Sequence, residues 1–314
     1  MAYLSAVVVF LFCQVPVYGQ KAKSAKEEPV GEFSGWGMEV TLNNYYLVKS
    51  TIMIFGTKWG AQPQTEQELE DRTWEQLVLS YEAFRRGIKV TDKELDEEIA
   101  GMASGENVKF DRQKDRDGYV TWVKEKTKES VELFENQLRH LIQLENLRKQ
   151  VLDSFKPEVT EEEAHQKFLN AYNTLELELV QFDELEKAQE FYKKMQKPEL
   201  WDERLKQDPK FAQHTGFVSF EWLIDMWKLP KDDLYKMLKL EVNSIYPPIP
   251  VYKGYGVIRL LKKRVADEAD FTKQREYYFK QVETVKKYEE LKDWLKRLKQ
   301  EADIKVYPIP QERQ

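Results

Sequence analysis

The chain reads as an α+β protein, mostly helical, with a small α/β domain inserted between N-terminal helices and a C-terminal helix. Three patterns point there. Apolar residues recur at three- and four-residue spacing through 71–86, 131–154 and 270–300. Two capping boxes open helices at Thr91 and Thr160. Between the helical blocks, "LELELVQF" (Leu175 to Phe182) alternates apolar and polar with period two, the pattern of a half-buried strand.

The first nineteen residues stand apart. "AYLSAVVVFLFCQVPVYG" has an apolar stretch from Ala6 to Phe12 and no charge before Lys21. That stretch is too short to cross a bilayer as a helix and suits the core of a signal peptide. Val17 and Gly19 are small enough for cleavage before Gln20, although the usual positive n-region is missing. A buried N-terminal strand is the competing reading. Cleavage would remove Cys13, the sole cysteine, so the exported chain would have no disulfide and its core would carry stability alone. "KAKSAKEEPVGE" (Lys21 to Glu32) is polar and aperiodic and reads as linker.

A weak helical pattern covers Leu42 to Phe55. In "DRTWEQLVLSYEAFRR", Trp74, Leu77, Val78, Tyr81 and Phe84 form one stripe, and Gly87 ends the helix. Next comes the first capping box, Thr91 with Glu94, with Val90 and Leu95 placed as a hydrophobic staple. Val131, Phe134, Leu138, Leu141 and Leu144 form a second stripe, on a helix that runs to about Ser154 and stops before Pro157. The second box, Thr160 with Glu163, opens another helix. The last helix, about 270–300, carries Tyr278, Val282, Val285, Leu291, Leu295 and Leu298, expected to pack on the helices around 74–86 and 131–152. In the middle, the strand at 175–182 is followed by a helical "DELEKAQEFYKKM", then "HTGFVSF" and "SIYPPIPVYKGYGVIRLLKKR", where strands and short helices alternate.

These segments, in this order, resemble a known family. "LVLSYEAFRRGIKVTDKELDEEI", "FENQLRHLIQLENLRKQV" and "VTEEEAHQKF" are similar to the N-terminal module of SurA-type and PpiD-type periplasmic folding factors, and "FTKQREYYFKQVETVKKYEELKDWLKRLKQEADIKVY" to the helix that completes it. The middle resembles a degenerate parvulin domain, the prolyl-isomerase fold of that family. The implied organisation is a signal peptide (1–19), a linker (20–36), an N-terminal helical chaperone module (37–171), a parvulin-like domain (172–264), a C-terminal helix completing the module (265–306) and a tail (307–314). The resemblance covers about 40–306.

A parvulin site uses two histidines on adjacent strands, an Asp or Cys between them, and an apolar cup for the proline ring. Here the first strand has no histidine. The closing strand, usually glycine, aromatic, histidine, reads Gly254, Tyr255, Gly256, so Gly256 stands where a histidine is expected. "AQHTGFVSF" resembles the family's glycine-rich turn and places His214 at the Asp or Cys position. Leu229 and Leu234 fall near the cup positions, Leu234 where a Phe is usual, with His214, Phe217 and Tyr255 as further candidates for substrate contact; no catalytic residue is assigned, and His214 is the only polar candidate. Twisting an amide costs about 18–20 kcal/mol, and walls that bind planar and twisted forms equally do not raise turnover.

Other chemistry finds little support. "DRQKDRDGY" imitates a calcium loop through Asp115, Asp117 and Gly118, but position twelve would be Lys124, so it reads as a turn. His140, beside an arginine, reads as a solvated or interface side chain, and His165 as exposed. The three histidines share no ligand spacing, so neither metal nor cofactor is expected. A net charge of −6 with acids and bases intermixed argues against nucleic acid. Three functions compete: a periplasmic holdase for unfolded or extended polypeptide clients, an active peptidyl-prolyl isomerase with an atypical site, and a scaffold subunit of an envelope complex. The family resemblance also implies transient contact with the secretion machinery or outer-membrane assembly.

Overall fold

The structure is a computed structural model that describes residues 29–56, 62–106, 108, 112 and 114–308. The signal-peptide reading falls outside these residues. In chain order the elements are β1 (Pro29–Phe33), β2 (Met38–Thr41), α1 (Leu42–Phe55), α2 (Glu66–Arg85), α3 (Asp92–Gly105), α4 (Arg116–Thr127), α5 (Val131–Ser154) and α6 (Glu161–Tyr172). Then follow β3 (Thr174–Phe182), α7 (Leu185–Lys194), α8 (Pro198–Gln207), β4 (Gln213–Ser219), α9 (Phe220–Trp227), α10 (Lys231–Leu238), β5 (Ile245–Val251), β6 (Gly254–Arg264), α11 (Glu268–Ala302) and β7 (Ile304–Val306). The described residues are thus mostly helical with two small antiparallel sheets, the α+β class expected. Among the described residues no helix is long and apolar enough to cross a membrane.

Two compact units result: 1–150 with 294–314, and 151–293. Their boundaries fall inside α5 and α11, whereas the sequence pattern draws its divisions at 171/172 and 264/265.

In the first unit a three-stranded sheet has the order β2-β1-β7. Residues 29–36, taken as the end of the linker, instead form β1 and a short 3-10 turn, because Val30 and Phe33 are buried. Phe33 sits edge-on to Trp36, Trp74 and Tyr81, with ring centroids 5.4, 6.4 and 4.9 Å away. β7 closes the sheet through Gly31↔Val306. The end of α11 reaches α2, with Arg86 over the Trp294 ring at 5.5 Å and Lys299 3.0 Å from Glu75. A second cluster joins α3, α4 and α5 through Leu95, Ile99, Tyr119, Trp122, Phe134 and Leu138. Arg112 grips Glu135 through two nitrogens, at 3.0 and 2.8 Å. Thr91 and Thr160 each make the reciprocal bonds of a capping box. Asp115 caps α4 by accepting from the Gly118 N–H at 3.0 Å, which accounts for the calcium-loop mimic.

Two stripe positions depart from expectation. Phe84 is 71% exposed, because α2 ends at Arg85 and the chain turns away through Gly87 at φ +68°. Val285 is exposed on α11, whereas Tyr278, Leu291 and Leu298 are buried.

In the second unit a four-stranded antiparallel sheet has the order β4-β3-β6-β5. One face packs on α9 and α10 through Leu175, Leu177, Leu179, Phe220, Leu234 and Ile258. The other packs on α7 and α8 through Val180, Val257, Ala188 and Trp201. Pro247, Pro248 and Pro250 lie in edge strand β5, where three missing N–H donors discourage further strand pairing. α6 packs on the start of α11: the Phe168 ring lies 5.3 Å from Phe271 and 5.5 Å from Tyr278.

Candidate functional site

Strand alternation decides which sequence-predicted residues can meet. Along β3, residues 175, 177 and 179 face α9 and α10, while 176, 178 and 180 face the opposite way. Gly256 pairs with Gln181, so it shares the face of Leu179. A Cβ at Gly256 would lie 2.2 Å from Leu179 Cδ1 and 2.7 Å from Val251 Cγ1. The space a histidine would need here is taken by aliphatic side chains.

His214 lies on β4 opposite Glu178, and its Nε2 is 3.0 Å from Glu176 Oε1. It therefore belongs to the other face of the sheet from Gly256. The Gly216 N–H donates to Nδ1 at 3.3 Å, so the proton sits on Nε2 and points at Glu176. Lys262 lies 2.8 Å from the same carboxylate, and its hydrogen bond, ahead of that from His214, holds Glu176 below the usual range. The arrangement is a surface ion cluster, with the His214 side chain about half exposed.

The remaining candidates also separate. Leu229 and Leu234 are 2% and 0% exposed, packed in the core beneath α9 and α10 with no surface to offer a proline ring. Phe217 is exposed, with Arg264 5.7 Å above its ring. Tyr255 is half-buried and joins the cluster on the α7 and α8 face. The structure brings none of these residues into one open pocket with Gly256. Among the described residues no group of three or more metal-ligating side chains gathers.

The first unit holds a cavity of about 490 Å³. Asn44, Leu47 and Val48 of α1 and Leu77, Ser80, Tyr81 and Phe84 of α2 form two walls. Asn136, Arg139, His140 and Gln143 of α5 form the third, with Met38 and Val90 completing the lining. The sequence reading made His140 a solvated or interface residue; it is buried. Its Nε2 faces Gln76 Oε1 at 3.4 Å, an acceptor, so Nδ1 accepts from the Ser80 hydroxyl at 3.1 Å. Burial pushes its pKa down to about 4, so the ring is neutral at pH 7. Arg139 donates to Asp92 and to the Val90 carbonyl, and Gln143 Nε2 donates to the Ile88 carbonyl at 2.9 Å. Val48 and Leu77 are themselves closed off, so the apolar surface open at this cavity comes from Leu47, Val90 and the exposed Phe84, beside the polar groups of α5.

Sequence reasoning missed this cavity. Asn136, Arg139, His140 and Gln143 fall at i, i+3, i+4 and i+7, the spacing of any solvated polar stripe, and only the tertiary structure sets them against Leu47, Leu77 and Phe84.

No family model matches the chain, and no curated protein matches it either. Comparison with solved structures returns a peptidylprolyl isomerase (PrsA) from Bacillus anthracis at 17% identity, covering 76% of this chain and 100% of that one, with a TM-score of 0.39. The foldase protein PrsA from Streptococcus pneumoniae matches at 16% identity over 96% and 97% of the two chains, with a TM-score of 0.33. A match from a structural study of two SurA-like chaperones of Campylobacter jejuni, PEB4 and Cj1289, has 14% identity over 87% and 96%, with a TM-score of 0.39. The chain is similar to these foldases and SurA-like chaperones, at low identity.

Proposed function

We propose that the protein is a periplasmic folding factor that holds unfolded or extended polypeptide segments, and that its parvulin-like domain (172–264) does not turn over X–Pro bonds. One observation carries the choice between holding and catalysis: Leu179 and Val251 occupy the space over Gly256, while His214 stands on the opposite face of the sheet. Isomerisation needs groups that favour the twisted amide over the planar one, and a closed aliphatic position supplies none.

Holding asks for less. The cavity between α1, α2 and α5, with Phe84 exposed at its rim, gives an unfolded client apolar surface to bury at about 25 cal/mol per Å². Export and the periplasmic setting rest on the apolar stretch before Gln20, and contact with the secretion or outer-membrane machinery rests on the resemblance alone. The test pairs suppression of aggregation of an unfolded client with prolyl turnover on a short peptide. Suppression without turnover supports the reading; turnover that depends on His214 overturns it.

A further inference from the structure

In the first unit, two buried oxygens on neighbouring side chains accept no hydrogen bond among the described residues: Glu129 Oε2 and Gln137 Oε1. Glu129 lies in the loop between α4 and α5, and Gln137, fully buried, in the second turn of α5. Gln137 Nε2 donates to Ser50 Oγ of α1 at 3.0 Å, while the Ser50 hydroxyl donates onward to the Leu47 carbonyl at 3.1 Å. That chain of bonds fixes the amide and leaves its carbonyl oxygen in want of a donor. An ionised Glu129 can only accept, so it cannot supply one. Two buried acceptors facing the same shortage destabilise the fold from both sides.

The groups around the carboxyl do not offset its charge. From α4, the Thr127 hydroxyl accepts from the Glu129 N–H at 3.2 Å and is neutral. Lys126 is paired with Glu106, and Lys49 of α1 with Glu66 at 2.7 Å. Lys128 and Glu132, on either side in the chain, are exposed. Burial, working against the hydrogen bond from Gln137, raises the Glu129 pKa above its ordinary 4.5. A proton on Oε2 answers both deficits at once, because it turns one of the two acceptors into a donor. We infer that Glu129 is a proton latch: when protonated, its carboxyl donates to Gln137 Oε1 and ties the α4–α5 loop to α5 and, through Ser50, to α1. The latch is fully closed below pH 4.5 and opens as the pH rises through the folded value, so its contribution to stability has the opposite sign to that of His140. It does not depend on the holding function.

The test uses the full chain with carbon-13 in its glutamate carboxyls, titrated by NMR between pH 7 and pH 4. The Glu129 signal is identified by its loss in Glu129→Gln, and is expected to titrate at higher pH than the bulk of the glutamate signals. In Glu129→Gln the amide supplies a donor at every pH. That variant is expected to raise the Tm at pH 7 by at least about 2 °C and to leave it unchanged near pH 4, where the wild type is already latched. In a Gln137→Leu background the gain at pH 7 is expected to shrink by at least half. A Glu129 signal that titrates with the other glutamates, a Tm lowered by Glu129→Gln at pH 7, or an undiminished gain in the Gln137→Leu background overturns the latch. Should Glu129→Gln fail to fold, Glu129→Asp identifies the signal and the wild-type titration decides.

Discussion

Leu179 stands over Gly256: a side chain starting at residue 256 would meet Leu179 Cδ1 at 2.2 Å. Both are on the α9 and α10 face of the sheet, so the absence of a histidine at 256 and the leucine at 179 form one packed arrangement. Gly256→His is therefore expected to overpack the core and cost about 1–3 kcal/mol. Adding Leu179→Ala should recover part of that loss, so that the double variant is more stable than the two single effects sum to, by at least about 0.5 kcal/mol. Urea unfolding of the four proteins measures the coupling.

His140 makes stability depend on pH in a defined direction. The unfolded chain takes up this proton near 6.5, while the folded ring, held neutral by burial, resists until about 4. Stability thus falls as pH drops through that window and levels off below it, by at most about 3 kcal/mol. His140→Gln should flatten this segment of the profile. Thermal melts of both proteins between pH 7 and pH 4 provide the check.

The capping boxes carry a separate, smaller contribution. Thr160→Ala removes the acceptor for the Glu163 N–H, at 3.2 Å, and should cost about 1 kcal/mol; Thr160→Ser, which keeps the oxygen, should cost less. Chemical denaturation distinguishes them.

How far the sequence discloses this molecule depends on the range of the interaction. Helices α1, α2, α5, α6 and α11 are legible because stripes and caps act within one or two turns, and β3 because its alternation is local. β1 escapes notice because five residues with two buried side chains leave no local mark even though β2 pairs with it close by, and its second partner β7 lies about 270 residues away. At the candidate site, the glycine at 256 is plain in the sequence. That His214 belongs to the other face depends on strand pairing, which periodicity alone does not supply. Phe84 looks like a core residue by spacing and is a rim residue because the chain turns at Gly87.

Phe84 separates holding from folding. At 71% exposure, Phe84→Ser should change stability by no more than about 0.5 kcal/mol, yet weaken client holding by removing apolar area at the cavity rim. Leu77→Ala, at a fully buried position on the same helix, should cost about 2–5 kcal/mol. Light scattering of an aggregating client beside a melt of each variant tests the contrast.

The central claim is that the chain holds clients without isomerising them, and a protease-coupled assay on a short X–Pro peptide tests it most directly. Run on the wild type and His214→Ala beside an aggregation assay, it should give background turnover for both proteins, with suppression of aggregation unchanged by the substitution. Robust wild-type turnover that disappears in His214→Ala would contradict the claim and make His214 a catalytic residue.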